Sequence, residues 1–309
     1  MHRYIVRRLL LLIPVMLGVS LIVFFLMHLT PGDPVEIMLG DFAEPAQIEA
    51  MRQSLGLDQP LHVQYYDFIT GALRGDFGRS IHYNEPVLNL IVSRVGYTAT
   101  LSLAGMFVSY IIAFPVGIIS AVKRYSLFDD LGMVFALLGI SMPNFWLGIM
   151  LILIFPLTLG ILPATGVGSI WHLILPGITL GTAGAALTTR LVRSSMLEVI
   201  NKEYIKTARS KGLKERTVIL KHALKNAILP VLTIIGLRLG FILGGAVIVE
   251  EVFARPGMGR LMINSIFRRD YLVVQACVLL IAFTVMIANL LVDITYGFVD
   301  PQIKYDQGE

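Results

Sequence analysis

The sequence predicts an all-α membrane protein with six transmembrane helices, and three observations carry that prediction. Of its 309 residues 56% are hydrophobic and 15% are charged, with a mean hydropathy of +0.76; a water-soluble globule needs more polar surface than this. Apolar runs recur at the length of about 20 residues that a helix needs to cross a core about 30 Å thick. Lys and Arg fall mostly in alternate connecting segments, the asymmetry that records topology in a polytopic chain.

The first span is Leu9 to Leu29, preceded by Arg3, Arg7 and Arg8. It is longer than the apolar region of a cleavable signal and ends at His28, Thr30 and Pro31 without a small-residue cleavage site, so it is expected to stay attached as an anchor. The second span is the uncharged run Thr98 to Val122. No Asp, Glu, Lys or Arg occurs from Leu131 to Thr189, too long for one crossing, and Gly160, Pro163, Gly166, Gly168 and Pro176 break it into a third span at about 131–157 and a fourth at about 173–191. The fifth runs from about Ile228 to Val249, and the sixth, Leu272 to Val292, is closed by Asp293. Six spans place both termini on one side. That side carries 16 of the 25 Lys and Arg and the opposite side 8, with Arg238 inside the fifth span, so the expected topology is N-in and C-in.

Residues 30–97 form the long external loop. Its Leu55, Leu57, Tyr65, Tyr66, Phe68 and Phe77, punctuated by Pro31-Gly32-Asp33-Pro34 and Gly75-Asp76-Phe77-Gly78, predict a folded cap of short helices. The organisation expected is 1–94 for the first helix and extracytoplasmic cap, 95–299 for a five-helix core, and 300–309 for a cytosolic tail. Repeats and low-complexity linkers are absent from the sequence.

The segment LEVINKEYIKTARSKGLKERTVILKHALKNAILP, residues 197–230, is the basic exception in an apolar chain. Leu197, Ile200, Tyr204 and Ala208 fall on one helical face, Gly212 ends that helix, and a second helix from about Glu215 turns Val218, Ile219, His222 and Ala223 to one side. The pattern predicts a cytosolic helix, turn, helix shaped to be gripped by something soluble.

Several chemistries are excluded by what the sequence lacks. Without a GxxxxGK[ST] loop or GxGxxG the chain carries no phosphate-binding motif, so any ATP is handled elsewhere. His2, His28, His62, His82, His172 and His222 lack ligand spacing, and Cys277 stands alone in an apolar run as packing. No nucleophile elbow is present, and the net charge of +4 reads as topology, not as nucleic-acid binding. Within the spans, Arg238 either lines a solute path or snorkels and pairs for structure. Asn144, beside Pro143 and Trp146, either lines a cavity or packs between helices. Asp293 reads as a helix-end residue, and Pro14, Pro115, Pro143 and Pro156 suit helices that bend.

EYIKTARSKGL at residues 203–213, followed by HALKNAILP at 222–230, resembles the coupling motif of bacterial ABC importer permeases of the dipeptide, oligopeptide and nickel family, B-subunit type. The blocks PGDP (31–34), LGLDQP (55–60), GDFGRS (75–80), SMPNFWLG (141–148), GGAVIVEEVF (244–253), RPGMGR (255–260), RDYLVVQ (269–275) and Asp300-Pro301 extend the resemblance over essentially the whole chain. Against the general importer motif, Lys206 and Thr207 stand where Glu and Ala are usual, Lys225 replaces a proline, and only Ala208 and Gly212 match; Glu203 is the nearest glutamate.

The resemblance implies a type I ABC importer fold in the bacterial inner membrane, with the coupling helix at about 198–213 seated in a cytosolic ATPase through Glu203, Tyr204, Thr207, Ala208, Lys211, Gly212 and Leu213. It implies a non-catalytic subunit without a cofactor of its own, ATP and Mg being bound by two ATPase subunits. Its other implied partners are a second homologous permease, an extracytoplasmic solute-binding protein and membrane lipid. Peptides are the expected cargo, with nickel chelates and glutathione as alternatives. An ion-coupled secondary transporter is the competing class, but it needs midplane carboxylates that the spans lack. A membrane-bound enzyme or a passive channel would have no use for the basic helix pair.

Overall fold

The computed structural model describes residues 2–29, 34–39, 43–54 and 56–299. Among these residues the regular structure is helical, with a single isolated bridge between Arg79 and Pro86. In chain order the helices are α1 (His2–Leu29), α2 (Pro34–Leu39), α3 (Pro45–Ser54), α4 (Leu61–Leu73), α5 (Val87–Val122), α6 (Leu127–Ser141), α7 (Asn144–Ile152), α8 (Trp171–Ile200), α9 (Glu203–Ser210), α10 (Glu215–Thr217), α11 (Leu224–Val252), α12 (Met258–Phe267) and α13 (Tyr271–Val299). A π-helical turn, Leu153–Thr158, extends α7, and another, Val218–Ala223, joins α10 to α11. Residues 31–33 of the PGDP turn, Leu55, Asp300-Pro301 and the tail, and the side chains of Arg238 and Asp293, lie outside the described residues.

Two compact units divide the chain, one comprising Ala99–Arg255 and the segment from Ile287, the other His2–Thr98 and Pro256–Met286. In the first, α8 is the hub, with α6, α7 and α11 packed around it. Small residues let the helices close. A Cβ on Gly181 would stand 2.6 Å from the carbonyl oxygen of Gly105 in α5, and one on Gly117 would stand 2.8 Å from Cβ of Val192. Close backbone approach through small residues drives helix association where lipid supplies no hydrophobic contrast. Leu101, Leu175, Leu180, Ala246, Val249 and Phe253 fill one buried cluster of this unit.

In the second unit α1 and α4 join through Phe24, whose ring lies edge-on to Tyr65 at 5.4 Å and stacked with Phe68 at 6.2 Å. Ser20 and Tyr65 share a 2.8 Å hydroxyl bond on the same face. Val87, Leu90, Ile91, Met258, Leu261, Val273, Ala276 and Cys277 form the core of this unit, so the lone cysteine is packing.

Three described helices are long and apolar enough to cross a membrane, over Leu9–Leu26, Val87–Val122 and Tyr271–Leu291. The third expected span differs from its prediction, because it is a bent pair. α6 and α7 meet at 103° around Met142 and Pro143, since Pro143 cannot donate to the helix ladder and the residue before a proline is forced extended. The fourth expected span lies inside α8, which runs from Trp171 to Ile200 but is too rich in Gly, Ala, Thr and Ser to be recognised by apolarity.

If close approach holds the hub, Gly181→Ala should lower the unfolding free energy in detergent by about 1–3 kcal/mol, the usual cost of overpacking. Gly244→Ala, where an added Cβ meets open space, should not. Equal midpoints in a denaturant titration of the two variants would refute this account.

Candidate functional site

Local chemistry accounts for the shape of the basic segment. α8 ends at Ile200, Asn201 and Lys202 turn the chain, and Lys202 is extended with φ −70° and ψ 149°. Its carbonyl accepts the Ile205 amide at 3.0 Å and opens α9. Gly212 closes it with φ +74°, its amide donating to Arg209 O at 2.9 Å. A side chain on Gly212 would meet open space, so glycine is required there by the left-handed backbone and not by crowding.

The break at residues 201–202 changes which face is buried. Tyr204, assigned by periodicity to the apolar face with Leu197 and Ile200, is exposed, its hydroxyl accepting a 2.7 Å bond from Asn226 Nδ2. Ile205 and Ala208 are the buried pair, at 0% and 7% exposure. They enter a cluster with Ala121, Val192, Met196, Val218, Ile219, Ala223, Ala227 and Val231. Ala208 therefore packs against its own chain, where its small size lets α9 lie close to the body.

What α9 presents outward is polar and basic. Glu203, Lys206, Thr207, Lys211, Leu213 and Lys214 are exposed. Lys206 Nζ reaches Glu203 Oε1 at 2.7 Å, and Thr207 Oγ1 donates to Glu203 O at 3.1 Å. Across the Gly212 turn, Arg209 grips Glu215 with two bonds, Nη2 to Oε1 at 2.7 Å and Nε to Oε2 at 3.1 Å. The hydrogen bond to the guanidinium holds the Glu215 carboxyl below the usual glutamate range and raises Arg209 further.

Four buried charged residues escaped the sequence reading. Asp129 in the first turn of α6, 2% exposed, accepts two bonds from Arg193 of α8, from Nε at 2.6 Å and Nη2 at 2.7 Å, and one from the Tyr125 amide at 3.1 Å. In the other unit, buried Asp270 accepts bonds from Ser80 Oγ and from the His82 amide, the latter at 3.2 Å. That contact joins the GDFGRS and RDYLVVQ blocks, 190 positions apart. Glu250 and Arg255, at the end of α11, are buried as well, and Arg255 Nη1 donates to His172 O at 3.3 Å. Glu250, Arg255 and Asp270 fall within the blocks GGAVIVEEVF, RPGMGR and RDYLVVQ, but nothing in those blocks signals that the charges are buried, and Asp129 shows only as an acid at the edge of an apolar run. Asn144 is the first residue of α7, at the α6–α7 bend and half-buried. No cluster of three or more His, Cys, Asp or Glu fit for a metal occurs among the described residues.

Comparison with known proteins places this arrangement. Residues 113–305 match the family described as Binding-protein-dependent transport system inner membrane component, and residues 1–104 match Binding-prot-dependent transport system membrane comp, N-term. The chain is 46% identical over 305 residues to the glutathione transport system permease protein GsiC of Salmonella typhimurium, covering 99% of this chain and 100% of that one. It is 45% identical, with the same coverage, to the GsiC protein of Escherichia coli strain K12. Among solved structures it is similar in fold to the MetNI methionine ABC transporter in an inward-facing conformation, with TM-score 0.56 and 20% identity over 68% of this chain and 96% of that one. An amino acid ABC transporter with histidines gives TM-score 0.51 and 14% identity over 70% and 94%. As its motifs implied, the chain belongs to the binding-protein-dependent inner-membrane component family and is a multi-pass, non-catalytic permease subunit of an ABC importer in the dipeptide, oligopeptide, nickel and glutathione class.

Proposed function

We propose that this permease carries short peptides across the inner membrane, with six spans in an N-in, C-in topology, and that α9 with the Gly212 turn is its contact to a cytosolic ATPase. The observation that carries the coupling reading is the anchoring of α9. Ile205 and Ala208 fix the helix to the body, while Glu203, Thr207, Lys211 and Leu213 stay exposed. A push on that outer surface would move the α8–α11 packing with it, as alternation between two packed states requires. ATP and Mg would be bound by two ATPase subunits. A second homologous permease would complete the path, and a solute-binding protein would deliver cargo to the external loop and the 251–271 segment. Arg238 and Asn144 remain the proposed path residues, and 1–94, 95–299 and 300–309 the proposed division of labour.

For cargo, the names of the GsiC relatives favour glutathione within the peptide class, since it is itself a tripeptide. Calorimetry on the cognate solute-binding protein with glutathione, a dipeptide panel and nickel chelates is expected to give heat with glutathione or peptides. Binding of nickel chelates alone would sink the peptide reading.

Thr207→Trp and Leu213→Glu, both on the outer surface, should leave membrane insertion intact while abolishing copurification of the ATPase and uptake. Undiminished copurification from both variants would end the coupling proposal.

The Arg209–Glu215 clamp gives a pH dependence. The carboxyl pKa is lower in the folded chain than unfolded, so the pair stabilises the turn above about pH 4.3 and that contribution is lost as pH falls through the lowered value. Both groups are substantially exposed, which limits the effect to about 0.2–1 kcal/mol. Amide exchange at residues 212–217, corrected for intrinsic rate, should therefore lose protection by less than tenfold on acidification and lose nothing further in Glu215→Gln. Identical acid responses in the two proteins would count against the clamp.

A further inference from the structure

The corner between α5 and α6 carries a surface that the transport reading leaves unused. α5 is a candidate span ending at Val122, and the chain then turns through Lys123, Arg124, Tyr125 and Ser126 into α6. Lys123 Nζ lies 4.5 Å from the centre of the Phe128 ring, and the Arg124 guanidinium lies 4.3 Å from that of Tyr125. The rings do not withdraw into the protein. Tyr125 is 79% exposed, Leu127 72% and Phe128 60%.

The corner is also held in place. Tyr125 adopts φ +61°, a conformation that costs a bulky residue energy and persists only when its surroundings enforce it. Its amide bonds to Asp129, which Arg193 grips in turn from α8. Arg193 thus takes both oxygens of the buried carboxylate, and Arg124 acts on it only as a nearby charge.

Exposed aromatic and aliphatic side chains at the end of a span, with two cations laid over the rings, suit the membrane interface. There ring bodies sit at headgroup depth and cations meet anionic headgroups. We propose that this corner is a binding site for the phosphate headgroup of an anionic phospholipid, with Lys123 and Arg124 as its cations and Tyr125, Leu127 and Phe128 as its acyl-side floor. Arg190, three residues before Arg193 and exposed, adds positive charge on the same side of α8. Asp130, exposed in the first turn of α6, offsets part of it. The surplus is about two net cations, which corresponds to about thirtyfold preference for anionic over zwitterionic lipid. This reading is independent of the coupling proposal and of which leaflet the corner faces.

The test uses the assembled transporter in vesicles of phosphatidylcholine that contain either brominated phosphatidylglycerol or brominated phosphatidylcholine at equal mole fraction. The reporter is Tyr125→Trp in a Trp146→Phe, Trp171→Phe background. Bromine quenches an indole only at contact, so phosphatidylglycerol should quench more strongly, with an apparent selectivity of about thirtyfold that shrinks as salt shortens the screening length. Lys123→Gln with Arg124→Gln should bring the two lipids to parity, and Asp130→Asn should widen the gap. Native mass spectrometry of the unsubstituted complex, competing the two lipids, reads the same preference without a reporter. Parity in both measurements overturns the proposal. So does a reporter quenched by both lipids in the isolated chain but by neither in the assembled transporter, which would assign the corner to a protein subunit.

Discussion

Burial of Ile205 is the interaction on which the rest of the cytosolic segment depends. An eight-residue helix is too short to hold itself together in water, because nucleation fixes several residues for one hydrogen bond. α9 is therefore shaped by what it packs against. A fully buried isoleucine contributes about 1.5–3 kcal/mol, and Ile205 makes that contribution within one buried cluster that also holds Val192 and Met196 of α8 and Val218 and Ile219 of the turn into α11. One side chain thus ties the two hub helices to the surface element between them. The exposed face of α9 cannot shift without disturbing the packing of α8 against α11.

The buried charges obey a related constraint. A carboxylate taken from water needs a partner of good geometry, and breaking such a pair costs more than never having made it. Asp129 has Arg193 on both oxygens, whereas Asp270 has Ser80 and the His82 amide on Oδ2 alone and its buried Oδ1 lacks a hydrogen-bond partner. Both carboxylates sit at helix starts, one in the first turn of α6 and the other just before α13, where they tie down a turn of the chain. These bonds secure the connections between spans, while small residues and apolar packing secure the spans themselves.

Helical architecture and the Gly212 turn were legible because they rest on local signals: long apolar runs, a breaker, and a residue whose backbone conformation only glycine adopts cheaply. The inward face of α9 was not. Periodicity runs residues 197–208 together as one helix, whereas the turn at Asn201 and Lys202 resets the phase, exchanging Tyr204 for Ile205. Nor was the α6–α7 bend, although Pro143 stood in the run. A proline marks a possible break, but the angle is decided by how α7 packs on α8 and α11. Contacts such as Ser80 with Asp270 join residues far apart in sequence, and no periodicity reports them.

α8 shows what hydropathy measures. Of its 30 residues 13 are buried, yet it is too weakly apolar to register as a span beside α1, α5 and α13. Apolarity is demanded by lipid contact, and a helix surrounded by α5, α6, α7 and α11 has little of that. Its own demand is for closeness, which Gly177, Gly181, Ala185 and Ala186 meet, and for satisfied hydroxyls, which Thr179 and Thr182 meet by bonding the carbonyls of Leu175 and Ile178. In a bundle of this kind the helix that organises the others is the one whose composition least resembles a membrane span, so small-residue spacing is a better guide to the hub than hydropathy.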